Sequence, residues 1–385
     1  MQSSEIYDFA VIGGGIAGCS VAASLSAQAS VCLLEMEDQP GYHSTGRSAA
    51  VFSEAYGNDT VRALTRASRA FFYKPPPAFC SVDLVSPRTI MLIAQYGQEQ
   101  AFASYTRLSA TPEYFQPISI EEACARHPLL KSQNLAGAAI TSDAADIDVN
   151  ELQQGFLKLL RGRSGKALTA TKVLDLQRVQ DVWHIVTNSG SLRAKVIVNA
   201  AGAWAGEIGR LASAQNIGLH PLRRTALLVD PPLNNNPTTW PMLLDAADKF
   251  YLKPDAGKLL LSPVDEIPSE PCDAQADELD IAIAIDRLET VTSLQIRRIL
   301  HKWAGLRSFV EDRSPVVGYD AAQPGFFWLA ALGGFGIQTA PALGEIAAAL
   351  ALRAPLNDGF AQFGVDVSAF SPERLAIRQQ RSGTG

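Results

Sequence analysis

Tyr7-Asp8-Phe9-Ala10-Val11-Ile12-Gly13-Gly14-Gly15-Ile16-Ala17-Gly18 joins a short apolar run to glycines at GxGxxG spacing. The first six residues predict a buried parallel strand. A helix is expected from about Ile16 to Ala27. Ser30-Val31-Cys32-Leu33-Leu34 predicts a second strand that ends at Glu35. In this setting Gly13 permits a tight turn, Gly15 lets the backbone approach a pyrophosphate, and Gly18 lets the helix pack on the strand. The helix N-terminus offers free N–H groups to phosphate. Glu35 stands about 20 residues on, where such a fold places its acid for a ribose hydroxyl. Strand, turn, helix and acid together predict a dinucleotide-binding α/β fold.

Outward from this motif, the 385 residues suit two lobes rather than one small domain. Apolar residues make up 47% and charged residues 19%, with a net charge of −6. No basic stripe accompanies that balance, which argues against nucleic acid as a partner. The cysteines Cys19, Cys32, Cys80, Cys124 and Cys272 form no CxxC pair and are odd in number. They are expected to be reduced thiols in a cytoplasmic protein. No signal-like segment, internal repeat or apolar run long enough for a membrane span is evident. The histidines His43, His127, His184, His220 and His301 show no metal-ligand spacing.

The spacing of the glycines does not separate FAD from NAD. Beyond the ribose acid, Gly41-Tyr42-His43-Ser44-Thr45-Gly46-Arg47-Ser48-Ala49-Ala50 is a polar loop in which Ser44, Arg47 and Ser48 suit a second phosphate or a flavin ring. Arg47 carries the paired donors that fit a pyrophosphate. Farther on, Val196 to Asn199 ends a strand at Ala200-Ala201-Gly202-Ala203-Trp204. Phe326 to Ala331 is a fully apolar strand before Gly333-Gly334-Phe335-Gly336, which opens a helix from about Ile337 to Leu352. A helix start aimed at a flavin pyrimidine would stabilise negative charge on the reduced ring.

These segments resemble the D-amino-acid oxidase superfamily over nearly the whole chain. Gly41 to Ala50 and Phe250-Tyr251-Leu252-Lys253-Pro254-Asp255-Ala256-Gly257 are most similar to the bacterial D-arginine dehydrogenases. The resemblance implies a Rossmann-like FAD-binding domain (residues 1–83, 144–216 and 303–385). A smaller α+β substrate domain with a mixed or antiparallel sheet (84–143 and 217–302) would interleave with it. It implies cofactor contacts from Gly13, Gly15, Ile16, Ala17, Gly18, Glu35, Met36, Ser44, Arg47, Ser48, Ala49, Ala50, Val173, Ala201, Gly202, Trp204, Gly333, Gly336, Ile337, Gln338 and Thr339. Some relatives attach the flavin through a cysteine on the strand that carries Arg307. This chain has Arg307 there, so FAD is expected to be non-covalent.

A flavin oxidising an amino acid takes hydride from Cα, and the protein must orient the substrate and tune charge. Arg307, late in the apolar run Trp303 to Phe309, is the candidate for the substrate carboxylate, with pairing to Glu311 or Asp312 as the alternative. The resemblance adds Tyr56, Arg224, Tyr251 and Gly334. It also exposes two departures. Where the arginine-specific group has a glutamate for the substrate cation, this chain has Ile90. A histidine of that group is replaced by Val51, and its Gly-Gly-Tyr reads Gly333-Gly334-Phe335. An unpaired cation beside Ile90 would be strongly disfavoured.

The expected substrate is therefore a neutral or apolar D-amino acid, or an amine of similar shape. The alternatives are a 2-hydroxy acid, a biosynthetic amine, or a flavin protein without turnover. The sequence does not specify the electron acceptor.

Overall fold

In the computed structural model, residues 2–107, 114–233 and 235–375 are described. Two sheets organise them. The first has eight strands, with Gln2–Ile12 between the parallel strands Gly190–Asn199 and Val31–Leu34. Lys166–Leu168 extends it in parallel beyond Val31–Leu34, and Phe326–Ala330 does so beyond Gly190–Asn199. The strands Val31–Leu34 and Phe326–Ala330 are buried at every position. This is the pattern of a parallel sheet covered on both faces.

Four helices pack together. Ile16–Leu25 meets Gly336–Leu352 and Val149–Gly162, and Asp59–Tyr73 also packs on Gly336–Leu352. Small side chains permit the closest approach: a Cβ at Gly344 would stand 2.8 Å from the Ser20 side chain. Asn58 caps Asp59–Tyr73 by accepting from Val61 N–H at 3.0 Å, as its side chain predicts.

The second sheet has ten strands and is mixed, as expected. Met242–Asp245 runs parallel to Val85–Gln95, and its other named pairings are antiparallel. Two strands enter it from stretches that the sequence-based division gave to the cofactor lobe. Val51–Ser53 pairs with Leu135–Ile147, and Ile299–Phe309 pairs with His220–Val229. The chain thus passes between the sheets more often than that division implies. Among the described residues no helix is long and apolar enough to cross a membrane.

Candidate active site

The turn after the first strand is built as the glycine spacing predicts. Gly13 has φ +107°, and a Cβ there would lie 2.4 Å from Ala200 O. At Gly18 a Cβ would lie 1.8 Å from Gly13 O, so only glycine lets the helix start pack on the strand. Glu35 turns back to this corner. Its carboxylate accepts from Gly14 N–H at 2.6 Å and Glu37 N–H at 2.9 Å. Burial pushes its pKa up, against the pull of those two bonds. Thr45 Oγ1 accepts from Ile16 N–H at 3.0 Å, beside the open end of the helix.

A cavity of about 250 Å3 begins at this corner. Its walls include Gly13, Gly15, Ile16, Ala17, Glu35, Met36, Ser44, Arg47, Ser48, Ala49, Val173, Ala201, Gly202, Trp204, Gly333, Gly336 and Ile337. The remaining expected cofactor residues lie elsewhere. Gly18 serves packing. Ala50 and Gln338 face a neighbouring cavity. Thr339 is buried in the final helix and donates its hydroxyl to Phe335 O at 2.9 Å.

Arg47 lines the cavity but departs from the pyrophosphate role. Its guanidinium donates to Ala304 O at 2.8 Å and Ala274 O at 3.0 Å, and pairs with the Asp273 carboxylate. These bonds tie the polar loop to Ala304 of the second sheet and to the segment at Asp273 and Ala274. Thr45, Thr171, Lys172 and Ser308 also line the cavity and carried no signal in the sequence. The buried Ser308 hydroxyl has no partner among the described residues.

The neighbouring cavity, about 90 Å3, is lined by Val51, Tyr56, Ile90, Tyr105, Phe115, Met242 and Leu244 among others. Register explains part of this wall. Ile90 pairs with Met242, and Leu244 pairs with Tyr251, so alternate residues of three strands share one face. Lys253 steadies the edge. It is buried, and its ammonium donates to Ala49 O at 2.9 Å and to the Asp146 carboxylate at 3.2 Å. Arg88 Nε donates to the same carboxylate at 2.9 Å.

Ser48, Ala49, Tyr251, Arg307, Gly334 and Ile337 line both cavities, so the two spaces share a wall. Arg307 is half-buried there, and among the described residues no hydrogen bond or ion pair occupies its guanidinium. The alternative partners are out of play: Asp312 pairs with Arg374 at 2.8 Å, and Glu311 is exposed. Arg224, by contrast, is buried and engaged. It donates to Asp265 O at 2.7 Å and to the Glu266 carboxylate at 3.1 Å. Burial, and then the nearby Arg307 charge, lower its pKa. Tyr56 packs edge-on to Phe335 at 5.0 Å between ring centroids.

A glycine-lined corner with a helix start, a buried acid and a second helix start at Gly336 fits a dinucleotide in the cavity that Arg307 also lines. The family model for FAD-dependent oxidoreductases termed DAO matches residues 8–350. The chain belongs to the DAO family. It is an FAD-dependent oxidoreductase.

Relatives within the DAO family are distant and differ in substrate. Glycine oxidase from Geobacillus kaustophilus is 22% identical, with 90% of this chain and 93% of that protein covered. Glycerol 3-phosphate dehydrogenase from Caloramator mitchellensis is also 22% identical, with 88% and 72% covered. The solved L-α-glycerophosphate oxidase from Mycoplasma pneumoniae, which holds FAD, superposes with a TM-score of 0.81 at 18% identity, covering 90% of this chain and 95% of that one. That likeness establishes the DAO fold. No cysteine lines the cofactor cavity.

Proposed function

We propose that this protein oxidises a small neutral or apolar D-amino acid, using non-covalently held FAD, to an imino acid that hydrolyses to a 2-oxo acid and ammonia. The observation that carries this reading is the unengaged Arg307 guanidinium on the wall common to both cavities. A substrate carboxylate placed on its fork gains two charged hydrogen bonds and a fixed orientation. FAD, when bound, accepts hydride at N5.

The other residues follow from that anchor. Arg224 stands close enough to add positive potential, while Asp265 and Glu266 hold it in place. Tyr56 and Tyr251 flank the wall and narrow the space over the ring. Val51, Ile90, Met242 and Leu244 form an apolar enclosure for the side chain and exclude water. A guanidinium or ammonium meets no carboxylate in that lining, so D-arginine and D-lysine are disfavoured.

Among the described residues no histidine, aspartate or glutamate lines the smaller cavity. An alcohol must give up a hydroxyl proton as hydride leaves, which calls for such a base. An amine that arrives neutral needs none. This favours an amino acid over a 2-hydroxy acid, and the name of the glycine oxidase relative points the same way.

Anaerobic titration of the yellow holoenzyme tests the reading. Apolar D-amino acids are expected to bleach the flavin, and heat or acid precipitation is expected to release FAD. Bleaching only by D-arginine, by 2-hydroxy acids or by glycerol 3-phosphate overturns the proposed substrate class. No bleaching by any of these overturns the catalytic reading.

A further inference from the structure

We propose that Tyr105, held by Asp248, is a specificity residue that selects substrates whose side chain ends in a neutral hydrogen-bond donor. This rests on the reading of the smaller cavity as the substrate site and names the substrate class more narrowly. Tyr105 lines that cavity but not the cofactor cavity, so it belongs to the wall away from the flavin. It lies in the last turn of the helix Glu99–Thr106. Its hydroxyl is 3.2 Å from each oxygen of the Asp248 carboxylate.

Asp248 is built to stay there. It sits in the tight turn between Met242–Asp245 and Tyr251–Asp255, in the left-handed region at φ +52°, which aspartate tolerates better than most residues. The buried Asp245 fixes the turn, accepting from Ala247 N–H and Lys249 N–H at 3.1 Å each. Gln98 Nε2 locks Asp245 in turn, at 3.1 Å. Among the described residues no ion pair engages Asp248. Burial pushes the pKa of Tyr105 up, while the Asp248 side of the pair is exposed to solvent.

A phenol has one proton to give, and here the carboxylate takes it. The Tyr105 oxygen is left with lone pairs only, polarised by the charge behind it. Of the residues lining this cavity, Ile90, Phe115, Met242 and Leu244 offer no donor, and the Tyr56 hydroxyl is a nearby polar group. A hydroxyl or amide N–H on the substrate satisfies that oxygen. A methyl leaves it without a donor, and a full cation finds no carboxylate among the described residues that line the cavity.

The test uses unreactive carboxylates of equal length, hexanoate and 5-hydroxypentanoate, bound to the holoenzyme and read by flavin absorbance. The expected Kd ratio favours the hydroxy compound and shifts by about tenfold towards hexanoate in Y105F. D248N shifts it in the same direction. Loosening of the turn alone would weaken both ligands together and leave the ratio unmoved. Unchanged ratios in both variants overturn the proposal, and a yellow D248N holoenzyme keeps the test decisive if Y105F does not fold. Absence of any spectral change with either carboxylate overturns the Arg307 anchor as well. Failure to oxidise D-norleucine and 5-hydroxy-D-norvaline overturns only the amino-acid chemistry, since the Kd ratio is measured without turnover.

Discussion

Arg307 occupies the space that Gly334 leaves free: a Cβ built on Gly334 would stand 2.8 Å from Arg307 Nη1 and 3.1 Å from Cζ. The glycine therefore sets the position of the guanidinium as much as the strand that carries it. Gly334→Ala is expected to displace Arg307, raise KM for an apolar D-amino acid by about tenfold and leave FAD bound. Steady-state kinetics on the yellow variant measures this. A KM equal to wild type would mean that the guanidinium moves aside without consequence.

Arg307→Ala removes both charged hydrogen bonds to the carboxylate. At about 1.5–3 kcal/mol each, their loss lowers kcat/KM by roughly 100- to 10,000-fold. Arg307→Lys recovers only part of it, because a point charge does not reproduce a fork. Stopped-flow reduction of the flavin reads both effects directly.

Ile90→Glu places an acid in the apolar enclosure. The ratio of kcat/KM for D-arginine over D-norleucine is expected to rise by at least about tenfold, since a buried substrate cation then has a partner. A competition assay with both substrates gives the ratio in one experiment. An unchanged ratio would show that position 90 does not reach the substrate side chain.

His127 gives the fold a pH dependence remote from the active site. The ring is fully buried against Trp240, and among the described residues neither nitrogen has a partner beyond the backbone of His127 itself. Burial lowers its pKa from 6.5 to about 4. Between those values the unfolded chain binds a proton that the folded chain refuses. Stability therefore rises with pH through this window and falls as pH drops, by up to about 1.4 kcal/mol per pH unit. Urea unfolding of His127→Phe across the same range is expected to show a flatter profile.

Local signals in the sequence located the glycine-lined strand–turn–helix corner well. Gly13, Gly15, Glu35 and the helix from Ile16 sit within one strand–turn–helix unit, where spacing alone fixes geometry. Arg307 was legible because a charged residue in an apolar strand demands a reason. The substrate wall was less legible. Met242 and Leu244 reach it through a parallel pairing with Val85–Gln95, about 150 residues away in the chain, which no local pattern encodes. Tyr105 lies on a helix with no buried residue and therefore no periodic signature. Arg47 misled for the opposite reason. Its chemistry suits a pyrophosphate, but Asp273, Ala274 and Ala304 arrive from far along the chain to claim it.

The strand Ile299–Phe309 is hydrogen-bonded into one sheet while its Gly305–Ser308 segment walls the cavity of the other. Val51–Ser53 crosses over in the same way. A protein threaded like this has no seam along which one half can be exchanged for another. Such threading favours change by single substitutions in the cavity walls over the shuffling of modules.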